Sequence, residues 1–314
     1  MIDFTDQAAI VTGAGRGLGR LYALDLAHRG ASVVVNDLGG GMGGEGADTT
    51  VADQVVEEIV RAGGTAVASH DSVDSPEGGE AIVQTALEHF GRVDAVVSNA
   101  GIFTSIAFED MTPTHWRQML KVHLDGGFHL CQPAFKVMKK QGYGRFVLIS
   151  SSGGMFGQHL EAHYGAAKAG LVGLSNVIAL EGAEHGILSN TVLPFGFSRM
   201  VTETVDAKTL EDTGLKDLIA PEKVVPMVTY LASRACESSH QNYSALAGRY
   251  ARVFIGLGDG WLADTDLTAT ADDIAEHFPQ VAQTESHTIP NNIYEELFSV
   301  MGRLGIDMTG SNPG

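Results

Sequence analysis

The sequence has 314 residues, and its 44% hydrophobic and 7% aromatic content is ordinary for a globular protein with a large core. Its formal net charge of −18 argues against nucleic acids and anionic membrane surfaces as partners, because both attract basic proteins. Two cysteines, no basic leader, no apolar run of about 18 residues and no C-terminal peroxisomal address favour a cytoplasmic protein.

Apolar, β-branched runs alternate with helical patterns from residue 8 onward. The predicted strands are Ala8–Thr12, Ser32–Asp37, Thr65–Ser69, Val93–Ser98, Arg145–Ser150, Ile187–Leu193 and Ala251–Leu257. The predicted helices are Gly17–Arg29, Asp48–Ala62, Ser75–Phe90, Thr112–Lys140, Tyr164–Glu184 and Pro221–Ser233, with a loosely patterned helical region over Ser198–Leu218. Such alternation needs crossover connections, which predict an α/β fold with one doubly wound (Rossmann) parallel sheet and helices on both faces.

The last fifty-four residues differ from the rest of the chain. Residues 261–314 contain nine acidic residues and one arginine, and two short helices are predicted near Ala271–His277 and Asn291–Met301. We interpret residues 1–260 as one Rossmann-fold domain and residues 261–314 as an acidic C-terminal extension that is not an independent domain.

A glycine-rich loop separates the first predicted strand from the first helix. It reads Thr12-Gly13-Ala14-Gly15-Arg16-Gly17-Leu18-Gly19. Glycines at such positions let the backbone turn tightly and approach a pyrophosphate, which the helix N-terminus then stabilises. Glycine-rich loops are common in proteins, but this position in an α/β chain predicts dinucleotide binding.

Asp37 ends the second predicted strand, eighteen residues after Gly19. A carboxylate there can accept hydrogen bonds from the adenosine ribose and repel a 2′-phosphate, which predicts NAD as the cofactor. Arg16 favours the opposite choice, because a guanidinium can hold a 2′-phosphate. Alternatively, Asp37 caps a turn beside Gly39 and Gly40.

Ser151, Tyr164 and Lys168 form the candidate catalytic group. Tyr164 and Lys168 are four residues apart, which places them on one helix face, and Ser151 follows an apolar predicted strand. An isolated tyrosine has a pKa near ~10, and a neighbouring ammonium lowers that pKa toward the working range. The alternative is a tyrosine and a lysine on the surface of an ordinary helix.

Taken together, Thr12-Gly13-x-x-x-Gly17-x-Gly19, Asn99-Ala100-Gly101, Ser151 and Tyr164-x-x-x-Lys168 resemble the short-chain dehydrogenases/reductases over about residues 3–260. The resemblance implies that Tyr164 is the general acid/base and that Ser151 orients the substrate oxygen. It implies that Lys168 lowers the pKa of Tyr164 and holds the nicotinamide ribose. The further cofactor-site residues that it implies are Asp71, Ser72, Asn99, Ala100, Gly101 and Pro194.

A narrower likeness lies in Val35-Asn-Asp37-Leu-Gly-Gly40, Val122-His123-Leu124 and Ser198-Arg-Met200. These segments resemble the dehydrogenase unit of multifunctional enzymes type 2, which oxidises (3R)-hydroxyacyl-CoA and is also known as a 17β-hydroxysteroid dehydrogenase. The likeness implies NAD-dependent oxidation of a secondary hydroxyl on a fatty-acyl or steroid side-chain CoA ester. A free hydroxysteroid or other hydrophobic alcohol is the alternative substrate, and a non-catalytic NAD-binding regulator is a further alternative. The hydratase and sterol-carrier domains of the larger enzymes are not expected.

Three positions depart from the family pattern. His123 replaces an asparagine that anchors a proton-relay water, so either the relay persists through the backbone carbonyl or His123 is a packed helix residue. Uncharged residues over Ile102–Ile106 replace basic residues of the narrower group, which weakens the case for an acyl-CoA. Phe195 and Phe197 follow Pro194 and predict a more apolar lip beside the nicotinamide.

His159 and His163 are four residues apart, but no carboxylate completes a ligand set, so no metal site is predicted. We expect both histidines at the mouth of the pocket. The segments Gly153–His163 and Met200–Leu218 are the expected substrate lids. The family resemblance also implies that the Tyr164–Glu184 and Thr112–Lys140 helices pack against a second subunit in a homodimer or homotetramer.

Overall fold

The structure is a computed structural model, and it describes residues 1–196, 215–264 and 268–306. The chain divides into two compact units, Met1–Val253 and Phe254–Gly314. Within the described residues, no helix combines the length and the apolar character that crossing a bilayer requires.

Among the described residues of the first unit, eight strands form one sheet. They are β1 (Ala8–Thr12), β2 (Ser32–Asn36), β3 (Thr65–Ser69), β4 (Ala95–Ser98), β5 (Gly144–Ile149), β6 (Ile187–Phe195), β7 (Gln241–Leu246) and β8 (Arg249–Val253). The strand order is β3-β2-β1-β4-β5-β6-β7-β8. The first seven strands pair in parallel, and β8 pairs with β7 antiparallel.

Helices lie along the chain between these strands. They are α1 (Gly17–His28), α2 (Thr50–Arg61), α3 (Pro76–Phe90), α4 (Pro113–Leu120), α5 (Gly126–Gln141), α6 (Ser152–Phe156), α7 (Ala162–Gly182), α8 (Leu215–Leu218) and α9 (Val225–Ala232). A π-helical turn, Lys121–Asp125, connects α4 to α5, and three short 3₁₀ turns are Phe108–Asp110, Ala183–His185 and Pro221–Lys223.

The sheet is buried on both faces, as its apolar strands require. Alternate residues of each strand enter opposite cores, because side chains alternate across a strand. Val11 and Val35 join the core that contains α1, α2 and α9, whereas Ile10 and Val34 join the core that contains α3, α5 and α7. The prediction of an α/β doubly wound sheet with helices on both faces is confirmed.

The prediction for the edge of the sheet was wrong in two respects. The strand predicted over Ala251–Leu257 is β8, which lies at Arg249–Val253 and runs antiparallel. Strand β7 was missed because it is polar: its buried Asn242 accepts a hydrogen bond from Thr191 Oγ1 at 2.7 Å. Ala247 and Gly248, both with positive φ, form the tight turn of the β7–β8 hairpin, and such a turn is the signal that could have revealed it.

Three helix predictions also change. The single helix predicted over Thr112–Lys140 is interrupted by the π-helical turn, and the short helix α6 was not predicted. Of the region predicted over Ser198–Leu218, only α8 lies within the described residues, and most of the lid predicted over Met200–Leu218 lies outside them.

The second unit begins at Phe254, and its described residues form two helices and two short strands. It contains β9 (Leu257–Gly258), α10 (Ala271–Val281), β10 (His287–Thr288) and α11 (Ile293–Arg303). Strands β9 and β10 pair antiparallel. Thr270 caps α10 through a reciprocal arrangement with Asp273, and His277 of the same helix stacks on Trp261 with 4.1 Å between ring centroids. Both short helices predicted in this part of the sequence are therefore present.

Candidate active site

A cleft of about 540 Å³ opens at the carboxyl ends of the parallel strands. It lies where the strand order changes direction, since β2 and β3 follow on one side of β1 and β4 to β6 follow on the other. Ligands of doubly wound sheets bind at such a position. Every residue predicted to contact the cofactor lines this cleft, namely Gly13, Arg16, Gly17, Leu18, Gly19, Asp37, Asp71, Ser72, Asn99, Ala100, Gly101, Tyr164, Lys168 and Pro194. His123 also lines it, and Ser151 lies beside it through its hydrogen bond to Tyr164.

The glycine-rich loop makes a surface that side chains would fill. A Cβ on Gly19 would lie 2.1 Å from the carbonyl oxygen of Gly13, and Gly13 and Gly17 have φ of +62° and +53°. Helix α1 begins at Gly17, and no side chain caps its N-terminus. Its first amide groups are therefore free to bind an anion, so this loop fits the pyrophosphate of a dinucleotide.

Asn99 connects this loop to the end of β4. Its Nδ2 donates to the carbonyl oxygens of Thr12 at 2.9 Å and Gly13 at 3.2 Å. The backbone amides of Asn99 and Ala100 both donate to Thr12 Oγ1 at 3.1 Å. These four hydrogen bonds fix the position of the Asn99–Ala100 segment relative to the glycine-rich loop at the floor of the cleft.

Asp37 accepts two backbone hydrogen bonds at the end of β2. Gly15 N lies 2.8 Å from Oδ2 and Gly39 N lies 2.7 Å from Oδ1. The turn-capping interpretation of Asp37 is thus realised in the structure. Each carboxylate oxygen keeps a second acceptor position, so the same side chain is able to accept from a ribose hydroxyl.

Asn36, which the sequence analysis did not single out, positions the Asp71 segment. The Asn36 side chain is buried and donates to the carbonyl oxygen of Asp71 at 2.9 Å and to Ser69 Oγ at 3.1 Å. Ser69 Oγ in turn donates to the Asp71 carboxylate at 3.0 Å. An asparagine that ends an otherwise apolar strand is the sequence signal that could have identified this role.

Ser151, Tyr164 and Lys168 come together at the other end of the cleft. Tyr164 and Lys168 are 9% and 4% exposed, so the alternative of a surface pair is wrong. Lys168 Nζ lies 5.7 Å from the centre of the Tyr164 ring and donates to the carbonyl oxygen of Ile149 at 2.6 Å. Ser151 Oγ accepts from Gly153 N at 3.1 Å, which orients this hydroxyl as the N-cap of α6.

Burial controls the ionisation of this group. It raises the pKa of Tyr164 to about 12, against the weaker lowering effect of the Ser151 hydrogen bond. It also lowers the pKa of Lys168 to about 7. The pKa of Tyr164 therefore shifts opposite to the predicted direction, because burial outweighs the hydrogen bond with Ser151. A positive charge bound in the cleft would bring the pKa of Tyr164 down.

His123 lies on the π-helical turn and is enclosed by the protein. Its Nε2 lies 2.8 Å from the carbonyl oxygen of Ile102, its Nδ1 has no partner among the described residues, and its ring packs edge-on against Tyr164 at 5.3 Å. Gly101 leaves room for it, because a Cβ there would lie 2.2 Å from the imidazole. Burial, followed by the charge of Lys168, holds the pKa of His123 well below its usual value. The side chain is thus neutral and packed, and a relay through its backbone carbonyl stays a prediction.

The wall beside Tyr164 is apolar. Phe103 contacts Tyr164 edge-on with 5.7 Å between ring centroids, and Ile102, Phe103 and Met119 form one buried cluster with Tyr164. Phe195 lines the cleft and is 43% exposed, whereas Phe197 lies outside the described residues. The cleft therefore suits a hydrophobic ligand at its catalytic end.

The two histidines expected at the pocket mouth lie in different environments. His159 is exposed, whereas His163 is fully buried with its Nε2 3.1 Å from Thr104 Oγ1. Within residues 1–196, 215–264 and 268–306, no three side chains of the types that ligate metals lie together.

Comparisons with known proteins identify relatives of the whole first unit. A family model described as "short chain dehydrogenase" matches residues 7–209. A short-chain type dehydrogenase/reductase of Mycobacterium tuberculosis is 44% identical over 276 residues, which cover 88% of this chain and 94% of that protein. The peroxisomal multifunctional enzyme type 2 of Mus musculus is 45% identical over 316 residues, which cover 99% of this chain but only 41% of that enzyme.

Among solved structures, the full-length peroxisomal multifunctional enzyme type 2 from Drosophila melanogaster superposes with a TM-score of 0.79 at 31% identity. The match covers 97% of this chain and 50% of that one. The chain thus spans nearly the full length of the mycobacterial relative and half or less of the two multifunctional enzymes.

Proposed function

Since the chain belongs to the short-chain dehydrogenase family and is an oxidoreductase, we propose that it is an NAD-dependent dehydrogenase of bulky, hydrophobic secondary alcohols. The leading substrate is a (3R)-hydroxyacyl-CoA with a fatty-acyl or steroid side chain. The observation that carries this proposal is the meeting of Tyr164, Lys168 and Ser151 with the glycine loop around one cleft.

The residues of the cleft fit a nicotinamide dinucleotide, which the family typically binds. The dinucleotide, when bound, supplies the acceptor for the hydride that leaves the carbinol carbon. The uncapped N-terminus of α1 would hold its pyrophosphate, and Asp71 and Ser72 would lie beside its adenine. Asp37 carries a negative charge at the adenosine end, which disfavours a 2′-phosphate and supports NAD over NADP.

Tyr164 takes the proton of the substrate hydroxyl in the oxidative direction. Ser151 holds the substrate oxygen at the tyrosine, and its hydrogen bond favours the phenolate by lowering the pKa of Tyr164. Lys168 stands one helical turn from Tyr164, where its ammonium form opposes the effect of burial. Phe103 and Ile102 keep bulk water away from the reacting oxygen.

Two observations bear on the substrate and favour different choices. The similarity to multifunctional enzymes type 2 supports an acyl-CoA ester. The uncharged Ile102–Ile106 segment and the overall charge of −18 favour a substrate without the phosphate groups of CoA, such as a free hydroxysteroid. A non-catalytic NAD-binding regulator is disfavoured, because a regulator has no need of a buried tyrosine and lysine at this position.

A substrate panel tests the proposal. Purified protein is mixed with NAD or NADP and with (3R)- and (3S)-hydroxyacyl-CoAs, 17β-hydroxysteroids and simple secondary alcohols, and NADH absorbance is followed. We expect turnover of a (3R)-hydroxyacyl-CoA with NAD and a Michaelis constant that rises with salt. Turnover of steroids alone would move the assignment to the second candidate, and turnover of no secondary alcohol would refute the proposal.

The assembly and the compartment are part of the same proposal. Phe128 of α5 and Val177 and Leu180 of α7 are large apolar side chains that are about half exposed, which supports a homodimer or homotetramer through these helices.

Cys131 and Cys236 are both buried and free, as in proteins of a reducing compartment, and we propose the cytoplasm.

A further inference from the structure

Glu161 is a mostly buried residue close to the candidate catalytic group. It is the residue before α7 and is only 6% exposed. Its position is fixed, because its carbonyl oxygen accepts from Gly165 N at 2.7 Å and the preceding Leu160 carbonyl accepts from Ile106 N at 2.8 Å. Its side chain makes no hydrogen bond or ion pair with another described residue, and burial raises the pKa of Glu161 to about 7.

The Glu161 carboxylate lies near the Ser151 hydroxyl. A Cβ built on Gly153 would lie 3.5 Å from Ser151 Oγ and 3.7 Å from Glu161 Oε2, so both oxygens lie near the same point beside Gly153. Burial is the main cause of the raised pKa of Tyr164, and the charge of Glu161 adds to that rise. Glu161 thus lies near both residues that are proposed to hold the substrate hydroxyl.

The ionisable groups around this point do not neutralise Glu161. Lys168, one turn beyond Tyr164 on α7, is bound to the carbonyl of Ile149. His163 on α7 and His123 on the π-helical turn both have a lowered pKa, and His115 on α4 acts on His163. Helix α6, which packs against α7, carries no ionisable side chain.

We propose that Glu161 selects substrates by the charge that they carry beside the carbinol carbon. It excludes substrates with a carboxylate there and admits those with uncharged groups such as thioesters, esters and ketones. Two like charges in a buried site a few ångströms apart repel strongly, whereas a neutral acyl group meets no such repulsion. This inference rests on the proposed function and deepens it. A hydroxyacyl thioester would be accepted and the free hydroxy acid that results from its hydrolysis would be rejected.

The test compares 3-hydroxybutyrate with its methyl ester in the wild-type enzyme and in Glu161→Gln and Glu161→Asp. At pH values well above 7, where Glu161 is ionised, we expect Glu161→Gln to raise kcat/KM for the acid relative to the ester by roughly tenfold, since it removes one of two interacting charges. Glu161→Asp keeps the charge and should keep the preference. Glu181→Gln, which removes an exposed charge from the same helix, is the matched control and should leave the ratio unchanged.

A second measurement separates an electrostatic role from a structural one. The charge of Glu161 contributes to the raised pKa of Tyr164. In Glu161→Gln, the increase of kcat/KM with pH for the neutral ester should therefore occur at lower pH than in the wild type. A mere packing defect would lower the rate at every pH without moving the profile. An unchanged acid-to-ester ratio together with an unmoved profile would overturn the proposal.

Binding distinguishes failure of this inference from failure of the proposed function. Calorimetric titration of the enzyme–NADH complex with 3-hydroxybutyrate and with 3-hydroxybutyramide needs no turnover. Tighter binding of the amide, with the difference lost in Glu161→Gln, supports the inference even where neither compound is oxidised. Equal binding of the two compounds, or binding of neither, would refute it.

Discussion

The two ends of the cleft differ in how their polar groups are satisfied. At the nucleotide end, Asp37, Asn99 and Asn36 each make at least two hydrogen bonds to backbone groups. At the catalytic end, Glu161 has no hydrogen-bond partner among the described residues, and the pKa values of Tyr164 and Lys168 are displaced by burial. The first end is organised by the backbone before ligands arrive, whereas the second keeps polar groups in an apolar site at a cost to stability.

Replacement of Lys168 tests that cost most directly. Burial lowers the pKa of Lys168 in the folded protein to about 7, from a usual value of 10.5. At pH values below the pKa of Lys168 in the folded protein, the full free-energy penalty for burying the ammonium applies. This penalty decreases as the pH rises and vanishes near the pKa of Lys168 in the unfolded protein. We expect Lys168→Met to lower kcat at least ~100-fold while raising the Tm of the ligand-free protein by roughly 2–5 °C at neutral pH.

The measurement is thermal unfolding across pH, with Lys139→Met of the exposed end of α5 as the control. The Tm gain of Lys168→Met should shrink as pH rises toward about 10. A loss of stability at neutral pH would show that the hydrogen bond to Ile149 outweighs the desolvation of the ammonium.

At the nucleotide end, Gly19→Ala should break the preformed loop. The added Cβ would lie 2.1 Å from the Gly13 carbonyl oxygen, so backbone atoms must move. We expect a loss of about 1–3 kcal/mol in the free energy of unfolding and at least tenfold weaker NAD binding by calorimetry. Gly302→Ala serves as the control, since Gly302 also lies in a helix, likewise has no positive φ, and has no atom within 4 Å of the new Cβ. Unchanged NAD affinity in Gly19→Ala would contradict the assigned pyrophosphate site.

Asp37→Ser should change cofactor preference more than stability. Loss of the carboxylate removes the repulsion of a 2′-phosphate, and Arg16 then becomes available to attract it. We expect the NAD-to-NADP ratio of kcat/KM to fall by about 10–100-fold, because the charge effect amounts to roughly 1.4–2.8 kcal/mol. A preserved NAD preference would mean that Asp37 only caps the turn at Gly15 and Gly39.

The smallest effect is expected for His123→Asn. The imidazole is neutral and buried, and it contacts Tyr164 through its ring edge rather than through a hydrogen bond. If His123 only packs, kcat should fall less than about tenfold, with a modest loss of stability measured by denaturant unfolding. A loss of a hundredfold or more, accompanied by a shifted pH profile, would assign a proton-transfer role to the side chain.

Local patterns predicted the strand and the loops that form the nucleotide end of the cleft. The glycine loop, β1 and the Asn99 segment depend on short-range geometry, and the β1 bounds predicted from the sequence match those in the structure. Strand β7 was missed because Asn242 and Ser244 are buried through hydrogen bonds with other strands rather than through apolar character. The π-helical turn at His123 is set by packing around the cleft, which helix propensity does not report.

The electrostatics of the catalytic end could not be derived from the sequence, since the pKa of Tyr164 depends on how deeply the fold buries it. Spacing alone suggested that Lys168 lowers this pKa, but burial depends on Phe103 and His123, which come from distant parts of the chain. Glu161 was overlooked for the same reason: three residues before a tyrosine, a glutamate is ordinarily a solvated helix-start residue. Only the tertiary structure shows that it is enclosed.

The central claim is that Tyr164 transfers the substrate proton next to a nicotinamide held by the rest of the cleft. Tyr164→Phe keeps the ring that packs on Phe103 and His123 and removes only the hydroxyl. The decisive measurement is NADH formation by this variant with the best substrate of the panel, alongside calorimetric NAD binding. We predict a loss of at least about 1,000-fold in kcat with NAD affinity unchanged. Turnover within tenfold of the wild type would contradict the claim.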